Sequence, residues 1–169
     1  MGGYTLFRAL NVAAPGQVRE LTSALQRAAA ASVQPPLLIA ADQEGGQLMA
    51  LAGATPFAGN MALGAAGSPE LARRMGRAIG LELAAVGVNV NYGPVCDVNT
   101  NPLNPNVGVR AFGDDPVLVA EMVRLCLGAG AAEVIVSDIS CNDPRRCFMR
   151  SGIGEAAEAA GAKVLLPQD

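Results

Sequence analysis

Along the chain, short runs of aliphatic residues alternate with longer stretches in which apolar residues recur every three or four positions. The first pattern suits strands buried on both faces; the second suits helices with one buried face. Tyr4–Phe7 is the first candidate strand. Pro15 to Ala31 predicts a helix, with Val18, Leu21, Leu25 and Ala28 along one face. Pro35-Pro36 ends that pattern, and Leu37–Ala41 predicts a strand running into Asp42. A glycine-rich loop follows, through Gly45, Gly46, Gly53, Gly59 and Gly64. Ser68 as N-cap and Pro69 at the first helical position open the next helix, which runs to about Val86 with Gly87 as its C-cap. Val88–Tyr92 is the next strand, with Asp97 just beyond it, and Asn99 to Asn106 is loop chemistry. Asp115-Pro116 opens a third helix ending near Gly128 or Gly130. Glu133–Ser137 predicts a strand leading into Asp138, Ser151 to Ala160 a short helix capped by Gly161, and Lys163–Leu166 a last strand.

Strands alternating with helices in this way predict an α/β domain spanning residues 1–169. About five mostly parallel strands would form a partial TIM barrel or an open Rossmann-like sheet. In such folds ligands bind outside the carboxyl ends of the strands. Those ends carry Asp42 with Glu44, then Asp97, then Asp138 with Asp143, and Arg110 lies in the loop before the third helix. A single acid at a strand end is as often a helix cap or a loop anchor. Three such strands favour a functional rim.

Composition narrows the chemistry. Hydrophobic residues make up 51% of the chain and charged residues 16%, which predicts a packed core rather than disorder. The formal net charge of −3 gives no electrostatic reason to expect nucleic acid or an anionic membrane as partner. No apolar run approaches the roughly 18–20 residues that span a bilayer. The start, Met1-Gly2-Gly3-Tyr4, lacks the basic flank and apolar stretch of a signal peptide, so a cytoplasmic location is expected. The four cysteines, Cys96, Cys126, Cys141 and Cys147, form no CxxC and are expected to be reduced thiols. The chain contains no histidine. That removes the Ser-His-Asp and Cys-His mechanisms, the usual neutral-pH acid/base and the commonest zinc ligand.

The segment Leu37-Leu38-Ile39-Ala40-Ala41-Asp42-Gln43-Glu44-Gly45-Gly46 resembles the DQEGG segment of family-3 glycoside hydrolases, in particular their bacterial β-N-acetylhexosaminidase branch. The likeness continues through Gly59-Asn60-Met61-Ala62-Leu63-Gly64 and Gly80-Leu81-Glu82-Leu83. It is strongest over Gly87-Val88-Asn89-Val90-Asn91-Tyr92-Gly93-Pro94-Val95-Cys96-Asp97-Val98-Asn99, and ends with Val109-Arg110-Ala111-Phe112-Gly113-Asp114-Asp115-Pro116. The resemblance covers residues 2 to about 123 and implies that Asp42 and Arg110 bind sugar hydroxyls while Asp97 lines the same pocket. The family often has arginine where this chain has Gln47. It would continue with a strand bearing a Lys-His pair, a loop holding the catalytic histidine, and a later strand supplying an aspartate nucleophile. Residues 124–169 instead resemble part of an uncharacterised family associated with iron–sulfur proteins, through Gly128 to Asp138, Asn142 to Phe148 and Ser151-Gly152-Ile153. Together the two resemblances imply a chimera with its junction near Val123–Gly128.

Retaining glycoside cleavage needs a nucleophile and a proton donor on either side of the scissile bond. The chain is therefore not expected to be an intact glycosidase. The leading expectation is a hydrolase of small activated esters or phosphoesters, with Asp42, Asp97, Asp138 and Cys141 as catalytic groups. A divalent metal held by Asp42, Glu44, Asp97, Asp138 and Asp143 would activate water without histidine. Asp42, Arg110 and Arg145 would bind the small-molecule substrate, and a thiolate of Cys141 or Cys147 beside Arg145 and Arg146 is an alternative nucleophile. The alternatives are a non-catalytic carbohydrate binder and a self-associating fold with no selected activity. An open sheet edge predicts a homodimer in each case.

Overall fold

A computed structural model of the chain describes residues 2–128. These fall into two compact units, one of residues up to Gly59 with Ala78–Pro94, the other of Asn60–Arg77 with the described residues from Val95 on.

The first unit is built on a parallel sheet. Strand β1 (Gly3–Leu6) pairs with β2 (Leu38–Ala41), and β2 with the two-residue β3 (Val90–Asn91), in the order β1-β2-β3. After β1 comes a single turn, α1 (Arg8–Asn11), which buries none of its residues and has no apolar period to announce it. Helix α2 (Pro15–Ala31) has the bounds its periodicity predicts, with Pro15 in the first turn and Val18 fully buried. It ends in a Schellman arrangement: Val33 N–H donates to Ala30 and Gln34 N–H to Ala29. Val33 holds the left-handed position there, at φ +54°, where glycine is usual.

Helix α4 (Pro69–Ala85), whose last residues belong to this unit, ends in the same device with the expected glycine. Gly87 lies at φ +77°, its N–H donates to Ala84, and Val88 N–H donates to Leu83. A side chain there would also collide with Thr22, whose hydroxyl donates to the Val86 carbonyl at 2.7 Å.

The sequence predicts a strand over Val88–Tyr92, yet only Val90 and Asn91 join the ladder. Asn89 N–H and Tyr92 N–H still donate to the Ile39 and Ala41 carbonyls, and side-chain amides extend the pairing on either side. Asn89 accepts from Ile39 N–H at 2.7 Å and donates to the Leu37 carbonyl at 3.0 Å, while Asn91 does the same for both backbone groups of Gln43. Leu37 is gripped a second time by the Gln26 amide, which accepts from its N–H and donates to its carbonyl. Amides thus make part of the pairing that a longer strand would have supplied.

The second unit is helical. It holds α3 (Asn60–Ala66), a 3-10 turn at Gly108–Arg110, and α5 (Pro116–Leu127), together with the first part of α4. Asp115 caps α5 as its sequence predicts, its carboxylate accepting from Val117 N–H at 2.9 Å. The glycine-rich stretch therefore contains a helix where a loop is expected. Two close backbone approaches organise the unit, since a Cβ on Gly64 would strike the Phe112 carbonyl and one on Gly76 would strike that of Cys126. The described residues hold three of the five expected strands. The expected strands Glu133–Ser137 and Lys163–Leu166, and the helix Ser151 to Ala160, lie outside the described residues.

Candidate functional site

In the first unit the chemistry gathers where β2 ends. The chain leaves Ala41, passes Asp42-Gln43-Glu44 and doubles back: Glu44 N–H donates to Leu48 and Ala50 N–H to the Asp42 carbonyl, with Gln43 bridging Met49 antiparallel. So tight a reversal needs the two glycines of the motif. Gly45 takes φ +87°, and Gly46 lies so close to Gly59 that a Cβ would stand 3.0 Å from its Cα.

Between the two acids, Gln43 is turned inward and wholly buried, its Oε1 accepting from Leu51 N–H at 3.0 Å. Its backbone N–H and carbonyl are both paired, at 3.0 Å each, with the side-chain amide of Asn91. Asp42 is thereby held from both sides, by Ala50 on its own carbonyl and by Asn91 on the next peptide. Its side chain is half-buried, whereas Glu44 is only 4% exposed. A carboxylate carried on a fixed main chain at the carboxyl end of a parallel strand suits the acceptance of hydroxyl hydrogen bonds from a ligand. A shallow cleft lined by Tyr4, Leu25, Ala28, Ser32 and Leu37 lies at the opposite, amino end of β1 and β2, where no acid faces it.

In the second unit, Arg110 ends the 3-10 turn and is half-buried. Its Nη1 donates to the Asn106 carbonyl at 2.7 Å, and its own carbonyl accepts from Asn60 Nδ2 at 2.7 Å. Neither Cys96 nor Cys126 is in a disulfide. Burial first, and then Asp97 and Cys126, push the Cys96 thiol up to about 12; burial does the same to Cys126, whose Sγ donates to the Ala72 carbonyl at 3.4 Å. Neither is poised as a nucleophile, because the thiolate is the reactive form.

Several expected placements change. Asp97 is not a strand-end residue: β3 stops at Asn91, the chain continues through Tyr92–Cys96, and Asp97 is exposed and belongs to the second unit. Among the described residues no group of three or more acids or cysteines is placed to hold a metal ion. Asp138, Cys141, Asp143 and Arg145 lie outside the described residues, as do Arg146 and Cys147. The amides that shape these places, Gln43, Asn89 and Asn91 in the first unit and Asn60 in the second, are absent from the expected set. Each sits within a quoted motif, but an amide between acids or on a strand carries no catalytic signature of its own. No helix among the described residues is long and apolar enough to cross a membrane.

A parallel α/β unit with an acid just beyond its second strand is the arrangement in which barrel folds present ligand-facing residues. The model of the glycosyl hydrolase family 3 N terminal domain matches residues 1–137, and the chain belongs to that family. Beta-hexosaminidase A of Pseudoalteromonas piscicida is 44% identical over 128 residues, covering 72% of this chain and 21% of that protein. A beta-hexosaminidase of Pseudomonas aeruginosa is 36% identical over 140 residues, covering 78% of this chain and 40% of that one. Among solved structures, the glycoside hydrolase family 3 beta-N-acetylglucosaminidase of Paenibacillus sp. FPU-7 superposes with a TM-score of 0.77 at 43% identity, over 82% of this chain and 27% of that one. The chain therefore spans between 21% and 40% of the length of these relatives.

These matches correct one expectation. A hydrolase of activated esters or phosphoesters is overturned, because the relatives are named as hexosaminidases and the family is one of glycoside hydrolases. The family match also runs to residue 137, past the expected junction near Val123–Gly128. The resemblance of residues 124–169 to an iron–sulfur-associated family finds no support in these comparisons.

Proposed function

We propose that the chain provides sugar recognition in a family-3 glycoside hydrolase acting on N-acetylhexosaminides. Asp42, in the first unit, accepts hydrogen bonds from sugar hydroxyls. Arg110, in the second, donates to a sugar oxygen. Charge-assisted hydrogen bonds of this kind are the strong ones, and a carboxylate accepts from two neighbouring hydroxyls as a guanidinium donates to two oxygens. The observation that carries the reading is the immobilisation of the DQEGG turn, with Asp42 flanked by the Ala50 and Asn91 hydrogen bonds. Fixing an acceptor before the ligand arrives removes ordering cost from binding. The hexosaminidase names of the relatives indicate the sugar class. Recognition is the role assigned to the described residues; bond cleavage needs a nucleophile and a proton donor in addition.

Titration calorimetry with N-acetylglucosamine tests the proposal. Saturable binding is expected, lost in Asp42→Asn and in Arg110→Ala. Binding that survives both substitutions would refute it.

A further inference from the structure

Asn60 is 2% exposed and opens α3, and its Nδ2 donates to the Arg110 carbonyl at 2.7 Å. Its Oδ1 is buried without a partner in the protein. A buried amide that satisfies only one of its ends costs stability that an apolar side chain would not. The donor end therefore gives the site its reason to be asparagine. What it holds is the end of the 3-10 turn, where Arg110 N–H donates to Val107 and Ala111 N–H to Gly108. One helical turn further on, Gly64 lets the Phe112 carbonyl press against the α3 backbone. Arg110 thus sits next to two clamped points, with Ala111 and Phe112 buried between and beyond them. With its main chain fixed, the guanidinium has its reach set by the Asn106 carbonyl.

From this geometry we infer that Asn60 is a positioning residue for Arg110, making α3 part of the sugar-recognition apparatus without touching sugar. The inference rests on the reading of Arg110 as a sugar-binding group. It assigns a purpose to the buried amide of the Gly59–Gly64 motif.

The test uses the full chain and the variants Asn60→Leu and Asn60→Asp. Phenylglyoxal labelling of Arg110 is measured by mass spectrometry against Arg8, an exposed arginine on α1. Asn60→Leu should raise the Arg110-to-Arg8 labelling ratio roughly fivefold, the population shift that one net hydrogen bond controls. Asn60→Asp keeps the shape and makes the clamp depend on protonation. A neutral carboxyl can donate to the Arg110 carbonyl and a carboxylate cannot. The ratio in Asn60→Asp should therefore match wild type at about pH 5 and rise towards the Asn60→Leu value by about pH 8, burial favouring the neutral acid. Affinity for N-acetylglucosamine should weaken about fivefold in parallel. A labelling ratio that is the same in wild type and both variants, or independent of pH in Asn60→Asp, overturns the inference. Wild-type chain that fails to bind the sugar, with labelling ratios as expected, sinks the functional reading and leaves Asn60 as the positioner of Arg110.

Discussion

Replacing Asn91 by alanine removes the one side chain that pairs both backbone groups of Gln43, at 3.0 Å each. Beyond the Tyr92 N–H to Ala41 carbonyl bond, that amide is what continues β2–β3 pairing past the end of the strands. Two hydrogen bonds are lost at about 1 kcal/mol net each, and the freed peptide groups adjoin a wholly buried side chain where water reaches them poorly. The expected cost is roughly 2–4 kcal/mol, a large share of the 5–15 kcal/mol that holds a typical domain together. With a urea dependence of about 1–3 kcal/mol per molar, the midpoint should fall by about 1–2 M with little change in slope. Circular dichroism at increasing urea measures it. Asn91→Asp should lose at least as much, because its second carboxylate oxygen would face the Gln43 carbonyl, acceptor against acceptor. A loss below about 0.5 kcal/mol in Asn91→Ala, the range of an ordinary surface change, would refute the view that this amide holds the strand end.

Gly64→Ala should destabilise by about 1–3 kcal/mol, since the new methyl meets the Phe112 carbonyl and backbone must move; thermal unfolding reads this. Val33→Gly should do the reverse, gaining about 1 kcal/mol by relieving a branched side chain from a left-handed position where it is 92% exposed and packs on little. The thiols of Cys96 and Cys126, raised from 9.0 to about 12, stay protonated in the folded chain where the unfolded chain would release protons. Stability contributed by these two groups is accordingly full below about pH 9 and declines as pH climbs towards 12. At pH 8, site-resolved alkylation of both should be at least about tenfold slower in the native chain than in urea; equal rates would contradict their burial.

The legibility of this fold tracks the kind of force at each place. Apolar period and terminal chemistry locate α2, the Gly87 end of α4 and the Asp115 start of α5, because local sequence determines each of these. Helix α3 escapes that reading: its two fully buried residues are Asn60 and Gly64, chosen for a hydrogen bond and a backbone approach rather than for hydrophobicity. The shortness of β3 is likewise invisible, since nothing in Asn89 or Asn91 says that its amide will reach across to main chain fifty residues away. Asp42 is legible as a strand-end acid, but the same rule carried to Asp97 fails once β3 stops early. The absence of histidine, joined to an expected metal cluster, leads to the wrong substrate class. Motif resemblance proves the better guide there.

Asp42 is the proposed acceptor for an N-acetylhexosamine. Isotope-edited NMR of the chain during titration with N-acetylglucosamine tests it most directly. Saturable shifts are expected at the amides of Asp42 to Gly46, abolished in Asp42→Asn while the spectrum stays folded. Shifts confined to other segments, or a titration that Asp42→Asn leaves unchanged, would contradict it.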